Sequence, residues 1–233
     1  MKRFYKDVSV APVDGGFAVL LDGRPVKTPA GNALTLPTEK LATAIAVEWR
    51  AQGDKIIVTS MPLLRLANTV IDGVATRRPE VTNAVMRFAE NDLLCYRAHQ
   101  PPDLVARQSV NWDPWLDWAR RCHGANMTLA VGFNHVDQTP DALSALRQPV
   151  DELDSFALGA LHVIASITGS LVLALAVANG AANGAQVFEL SRIDEIYQAE
   201  KWGEDAEAAK RATALAHELD KAVELMTAAR HTA

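Results

Sequence analysis

Phe156-Ala157-Leu158-Gly159-Ala160-Leu161-His162-Val163-Ile164-Ala165-Ser166-Ile167-Thr168-Gly169-Ser170-Leu171-Val172-Leu173-Ala174-Leu175-Ala176-Val177-Ala178 carries no Asp, Glu, Lys or Arg. Its reading decides between a membrane protein and a helical core. About 20 apolar residues are enough to cross a bilayer. Three features oppose that reading. His162, Ser166, Thr168 and Ser170 are polar, and Gly159, Ala160 and Ala165 lower the hydrophobicity. Thr168-Gly169-Ser170 reads as a stop followed by a new N-cap, because hydroxyl oxygens accept from free helix N–H groups. Asp151, Glu152 and Asp154 precede the stretch and no basic anchor follows it. The stretch therefore reads as two short helices buried in a core.

The rest of the chain bounds the function. With 233 residues and net charge −5, it is long enough for a substantial core. Mild acidity argues against nucleic acid, whose affinity rests on clustered Lys and Arg. Cys95 and Cys122 make no disulfide framework, which suggests a reducing compartment. The start, MKRFYKDVSV, has neither a signal-peptide apolar run nor an Arg- and Ser-rich import signal. The expectation is a bacterial-type cytoplasmic protein or an already trimmed one.

Outward from the apolar stretch the chain is predicted to be α+β. Residues 1–60 form a small N-terminal antiparallel sheet domain, and residues 61–233 form an α-helical domain. Strands are expected from Arg3 to Leu36, with Asp22-Gly23 as a tight hairpin turn and a last short strand at Asn32–Leu36. Thr38 should cap a helix through Leu41, Ile45 and Trp49, closed by Gly53, and Ile56–Thr59 should be one more strand. Beyond Met61 the period is helical. Pro62, Pro79 and Pro101-Pro102 open helices, Trp112-Asp113-Pro114 opens another that Gly124 ends, and Met127–Phe133 is a strand or an irregular link. Thr139-Pro140 pairs a cap with a first-turn proline, and Pro149 restarts the chain. Two helices finish it. Gln186–Lys201 buries Leu190, Ile193 and Tyr197. Asp205–Arg230 buries Ala208, Ala212, Leu215, Leu219, Ala222 and Met226.

Catalytic signatures are missing. The chain has no Walker loop, no G-x-G-x-x-G, no H-E-x-x-H, no C-x-x-C and no G-x-S-x-G. Arg24 and Lys27 could form an anion loop, but a hairpin with two surface cations explains them. Cys95 lies in an apolar run and reads as an inert thiol. Cys122 and His123, as helix neighbours, point about 100° apart. His123, His135 and His162 lack ligand spacing. No catalytic residue, metal or cofactor is expected. Trp202 lies between two helices in a charged setting, where an exposed interface anchor is one reading. In Ser191–Asp205, Ile193 and Tyr197 point inward. Asp194, Gln198 and Lys201 share the opposite face with Glu195 alongside, either as a solvated face or as an acidic docking strip.

Several runs resemble one family. They are Arg3-Phe4-Tyr5-Lys6, Leu21-Asp22-Gly23-Arg24-Pro25-Val26-Lys27-Thr28-Pro29, Glu48-Trp49 with Gln52, and Met61-Pro62-Leu63. Asp92-Leu93-Leu94-Cys95-Tyr96-Arg97, Trp112-Asp113-Pro114 and Thr168-Gly169-Ser170-Leu171 continue the series, which ends at Tyr197-Gln198 with Lys201-Trp202-Gly203. Together they resemble the Atp-twelve (ATP12) family of ATP synthase assembly chaperones. The resemblance implies a non-enzymatic protein that binds the free alpha subunit of the catalytic sector and prevents its aggregation until the beta subunit replaces it. It implies partner-binding residues at Asp194 and Glu195, and further at Gln198, Trp202 and Glu204. Trp49 reads as structural. No nucleic acid, membrane insertion or small-molecule substrate is expected. The rivals are a small-molecule enzyme using Arg24 and Lys27 in a cleft, and a subunit retained in a finished complex.

Overall fold

The computed structural model describes residues 1–132 and 135–230. The fold is α+β, with a small N-terminal antiparallel sheet followed by helices. Its residues group into two compact units. The first holds Met1–Arg78, Asp154–Ala160 and the stretch from Lys221 onward. The second holds Pro79–Leu153 and Leu161–Asp220.

In the first unit β1 (Val8–Val13) pairs antiparallel with β2 (Gly16–Leu21), which pairs with β3 (Arg24–Pro25). Asp22 and Gly23 take φ of 48° and 77°, the left-handed pair that a tight hairpin requires. The Asp22 carboxylate accepts from the Lys6 and Asp7 N–H groups, and these bonds hold its pKa below the usual carboxylate range. Asn32–Leu36 contributes only isolated bridges, Lys27 to Ala33 and Phe17 to Leu36, rather than a strand. Helix α1 (Glu39–Arg50) starts where the Thr38 hydroxyl accepts from the Leu41 N–H at 3.1 Å. It buries Leu41, Ile45 and Trp49, and the Tyr5 hydroxyl donates to the Trp49 carbonyl at 2.7 Å.

Two expectations fail after α1. The helix ends at Ala51, and Gly53 takes no left-handed φ. Ile56–Thr59 is not a strand, because the Gln52 side chain engages the backbone there. Its Oε1 accepts from Ile57 N–H at 2.8 Å, and its amide donates to the Glu48 carbonyl and the Ser60 hydroxyl. A short 3-10 turn, Val58–Ser60, results. Helix α2 (Pro62–Thr69) has its first-turn proline, and the Glu48 carboxylate caps it by accepting from the Leu63 and Leu64 N–H groups at 2.8 and 2.9 Å. Burial nonetheless pushes the Glu48 pKa up. A π-helical turn, Val70–Val74, follows. Gly159 is required against it, since a Cβ there would lie 2.6 Å from a Val70 methyl.

In the second unit α3 (Arg78–Glu90) leads to a 3-10 turn at Leu93–Cys95 and to β4 (Tyr96–Arg97). Helix α4 (Pro102–His123) is one helix, not the two expected, with Pro114 inside it. A proline leaves the carbonyl four residues earlier without its helical donor. That residue is Val110, which is 74% exposed, so water can take the donor's place. Gly124, at φ 75°, ends the helix as expected. β5 (Ala130–Val131) pairs parallel with β4, and Phe133 of the expected link lies outside the described residues. Thr139 caps α5 (Pro140–Asp151), which continues through Pro149 instead of restarting there.

The apolar stretch forms α6 (Ser155–Thr168) and α7 (Leu171–Ala178). Gly169 turns at φ 67°, and the Ser170 hydroxyl caps α7 by accepting from Leu173 N–H at 3.0 Å. Among the described residues no helix is long and apolar enough to cross a membrane. Every residue of α7 is buried, and α7 packs on α4. Buried Asp92 accepts from the N–H groups of Leu94 and Val172, so one carboxylate serves both the 3-10 turn and the start of α7. The expected Gln186–Lys201 helix is broken at Arg192 into α8 (Gly184–Ser191) and α9 (Ile193–Trp202). Helix α10 (Ala206–Ala229) buries Leu219, Ala222 and Met226. Ala208 is exposed and Ala212 and Leu215 are half-buried, contrary to the expected continuous stripe.

Candidate functional site

Helix α9 has two faces with different work. One is fastened to α4. Ile193 and Tyr197 are buried on it. The Gln108 amide, itself buried, donates to Asp194 at 2.7 Å while its oxygen accepts from the Ala98 N–H at 2.8 Å. The Tyr197 hydroxyl donates to Asp103 at 2.8 Å, and the Lys201 ammonium lies 3.2 Å from the same carboxylate. These two partners hold the Asp103 pKa low. Arg107 grips Glu200 through two bonds of 2.9 Å. Just before α9, the Trp112 indole donates to the Leu190 carbonyl at 2.8 Å. The Asp194 end of α9 meets Gln108 and the Lys201 end meets Asp103, so the two helices run antiparallel. Exposed ion pairs contribute little each. The buried Gln108 and Trp112 bonds carry more, because breaking either strands a buried polar group.

The other face lines an open groove of about 480 Å³. Glu195, Gln198 and Trp202 of α9, Glu204 of the link that follows, and Ala208 and Ala212 of α10 line it. Trp202 is 79% exposed, more than any other large apolar side chain described. Gly203, at φ 94°, makes the turn from α9 towards α10. Ile196 is exposed at the groove edge, and beyond it lies a second hollow of about 540 Å³ bordered by Arg107, Glu189 and Leu190.

Four of the five predicted partner-binding residues thus meet at one groove. Asp194 does not. It is half-buried in the seam with α4, and Lys201 is turned to the same seam. The grouping of Asp194, Gln198 and Lys201 on one outward face holds only for Gln198. α9 is mounted on α4, and α7 lies against α4. The sequence does not single out Gln108, Asp103 or Arg107. They come from a helix far away in the chain, and their only local signal was an acid in the first turn of α4.

The other candidates are apart. Burial pushes the Cys95 thiol up to about 12, and Cys122 is exposed. His123 meets Asn179, His135 meets Tyr96 and Asp137, and His162 lies edge-on to Phe88. Among the described residues no group of His, Cys, Asp or Glu is arranged to hold a metal. Arg24 and Lys27 are both exposed.

Comparison with known proteins agrees with the motif series. The family model described as ATP12 chaperone protein matches residues 2–120. Atp12 of Paracoccus denitrificans is 41% identical and superposes with a TM-score of 0.95, over 98% of each chain, and a mutant of that protein does the same. A candidate chaperone from Agrobacterium tumefaciens is 43% identical, with a TM-score of 0.94 over 98% of this chain and 86% of its own. Mitochondrial atp12 of Schizosaccharomyces pombe is 26% identical over 219 residues, 88% of this chain and 75% of that one. The α9–α10 groove lies beyond the family-model match and within the structural ones.

Proposed function

Because the chain belongs to the ATP12 family of ATP synthase assembly chaperones, we propose that it binds the free alpha subunit of the F-type catalytic sector and shields it from aggregation until the beta subunit takes its place. An unpaired ring subunit exposes an apolar interface, and such patches self-associate. A protein without nucleotide-driven machinery acts on that surface by reversible binding, as no catalyst. The single observation that carries the reading is Trp202. It is a 79% exposed aromatic on a helix whose far face is bolted to α4. Rigid exposed aromatics flanked by polar groups are the residues that anchor protein interfaces. Glu195, Gln198 and Glu204 supply the polar rim, and Asp194 holds the helix that presents them. The setting is the bacterial cytoplasm, or the mitochondrial matrix for an organellar form.

The test is direct. Purified alpha subunit, diluted from denaturant, should stay in solution with this protein present and should co-purify with it, and adding beta subunit should release it. If no complex forms and alpha aggregates at the same rate, the reading is wrong.

A further inference from the structure

Helix α10 carries an apolar stripe that the fold leaves half covered. Ala208, Ala212, Leu215 and Leu219 recur at helical spacing. Leu219 is fully buried, Leu215 and Ala212 are half-buried, and Ala208 is exposed. The uncovered end forms a wall of the groove beside Trp202. Small side chains on such a wall let a second helix approach to about 8 Å between axes. Both walls are helical, so the groove offers no strand edge to an extended segment.

The charges choose among helices. Among the described residues Glu204 and Glu207 have no cation partner, and the Asp205 carboxylate meets the Glu207 N–H, at 2.9 Å, and no cation. Lys201 is held by Asp103 at 3.2 Å, and Lys210 and Arg211 do not line the groove. Arg192 does line it, but its guanidinium lies over the Phe188 ring and 3.9 Å from Glu195. The unmatched charge at the mouth is negative, and the exposed indole face is a further seat for a cation.

We propose that this groove seats an amphipathic, basic helical segment of the alpha subunit. Its apolar side chains lie on the alanine stripe and Trp202, and its Lys or Arg residues meet Glu204 and Asp205. The proposal rests on the reading of the chain as an alpha-subunit chaperone.

The experiment measures alpha binding to the full chain by light-scattering protection and co-purification. Ala212→Trp fills the groove, and Glu204→Lys with Asp205→Lys reverses its mouth. Each should weaken alpha binding by about tenfold or more, as loss of a central anchor or of a charge match does, with unchanged circular dichroism. A thiol-linked photo-crosslinker at Gln198→Cys, in a Cys122→Ser background, should label a helical alpha segment rich in Lys or Arg. If the wild-type chain fails to bind alpha, the chaperone reading falls and this proposal with it. If wild type binds and both groove variants bind equally well, only the helix-in-groove proposal falls. Labelling of an acidic or extended alpha segment overturns it too, even where a groove variant proves unstable.

Discussion

Helix α7 and the first half of α10 are both apolar by composition, yet they end in opposite places. All eight residues of α7 are buried. In α10 the residues from Ala206 to Glu218 are exposed or half-buried throughout. The difference is what lies between the apolar positions. In α7 nothing charged intervenes, so every face can be taken from water. In α10 Glu207, Lys210, Arg211 and Glu218 confine the apolar residues to one stripe of small side chains. A charge-free run is covered by its own fold, whereas a thin alanine stripe gains little from burial at about 25 cal/mol per Å² and can be left for a partner.

That contrast can be broken by mutation. Leu173→Asp puts a carboxylate where no water reaches and should unfold the second unit, seen as loss of helical circular dichroism. The same change at Ala208 should leave the spectrum alone. If both variants fold, the contrast is false.

A smaller effect comes from pH. Burial first, against several hydrogen bonds, raises Asp92 from 3.8 to about 6. A carboxyl with a raised folded pKa binds its proton more tightly in the folded chain. Its contribution is therefore full below the unfolded value near 3.8 and is lost as pH rises through about 6. Asp22, Asp72 and Asp103, whose pKa values are lowered, act in the opposite sense. Subtracting the Asp92→Asn melting profile from the wild-type profile should isolate a difference that declines between pH 4 and 6 by up to about 3 kcal/mol. A flat difference would show the carboxylate to be solvated.

Asp194→Ala strands the buried Gln108 amide and should cost about 1–3 kcal/mol in denaturant unfolding. Trp202→Ala should change stability by no more than about 0.5 kcal/mol while weakening alpha binding. If Trp202→Ala instead lowers stability as much as Asp194→Ala, the two faces of α9 are not distinct.

Much of this was legible in the sequence, and the misses have physical causes. The Asp22-Gly23 turn, the caps at Thr38, Thr139 and Ser170, and the break at Gly169 are local chemistry, and all appear. Pro114 misled because the carbonyl it frees belongs to exposed Val110, where water can replace the lost bond; Pro149 likewise lies inside a continuous helix. Ile56–Thr59 misled because the side chain of a nearby glutamine, Gln52, takes up an N–H that the strand would use. Within the candidate site, the family resemblance named Glu195, Gln198, Trp202 and Glu204, and these four line one groove. Asp194 does not, since its partner comes from α4, and no spacing within α9 reports that.

The two cysteines have a use that follows from their burial alone. A native chain should offer one titratable thiol, Cys122, while Cys95 is shut in and held protonated. The second thiol becomes countable only when the turn at Leu93–Cys95 opens, and that turn shares its Asp92 cap with α7. The rate at which a second equivalent of reagent is consumed is then a clock for opening of the helical core. The chain needs no added probe, and the clock can be run with the groove empty or filled.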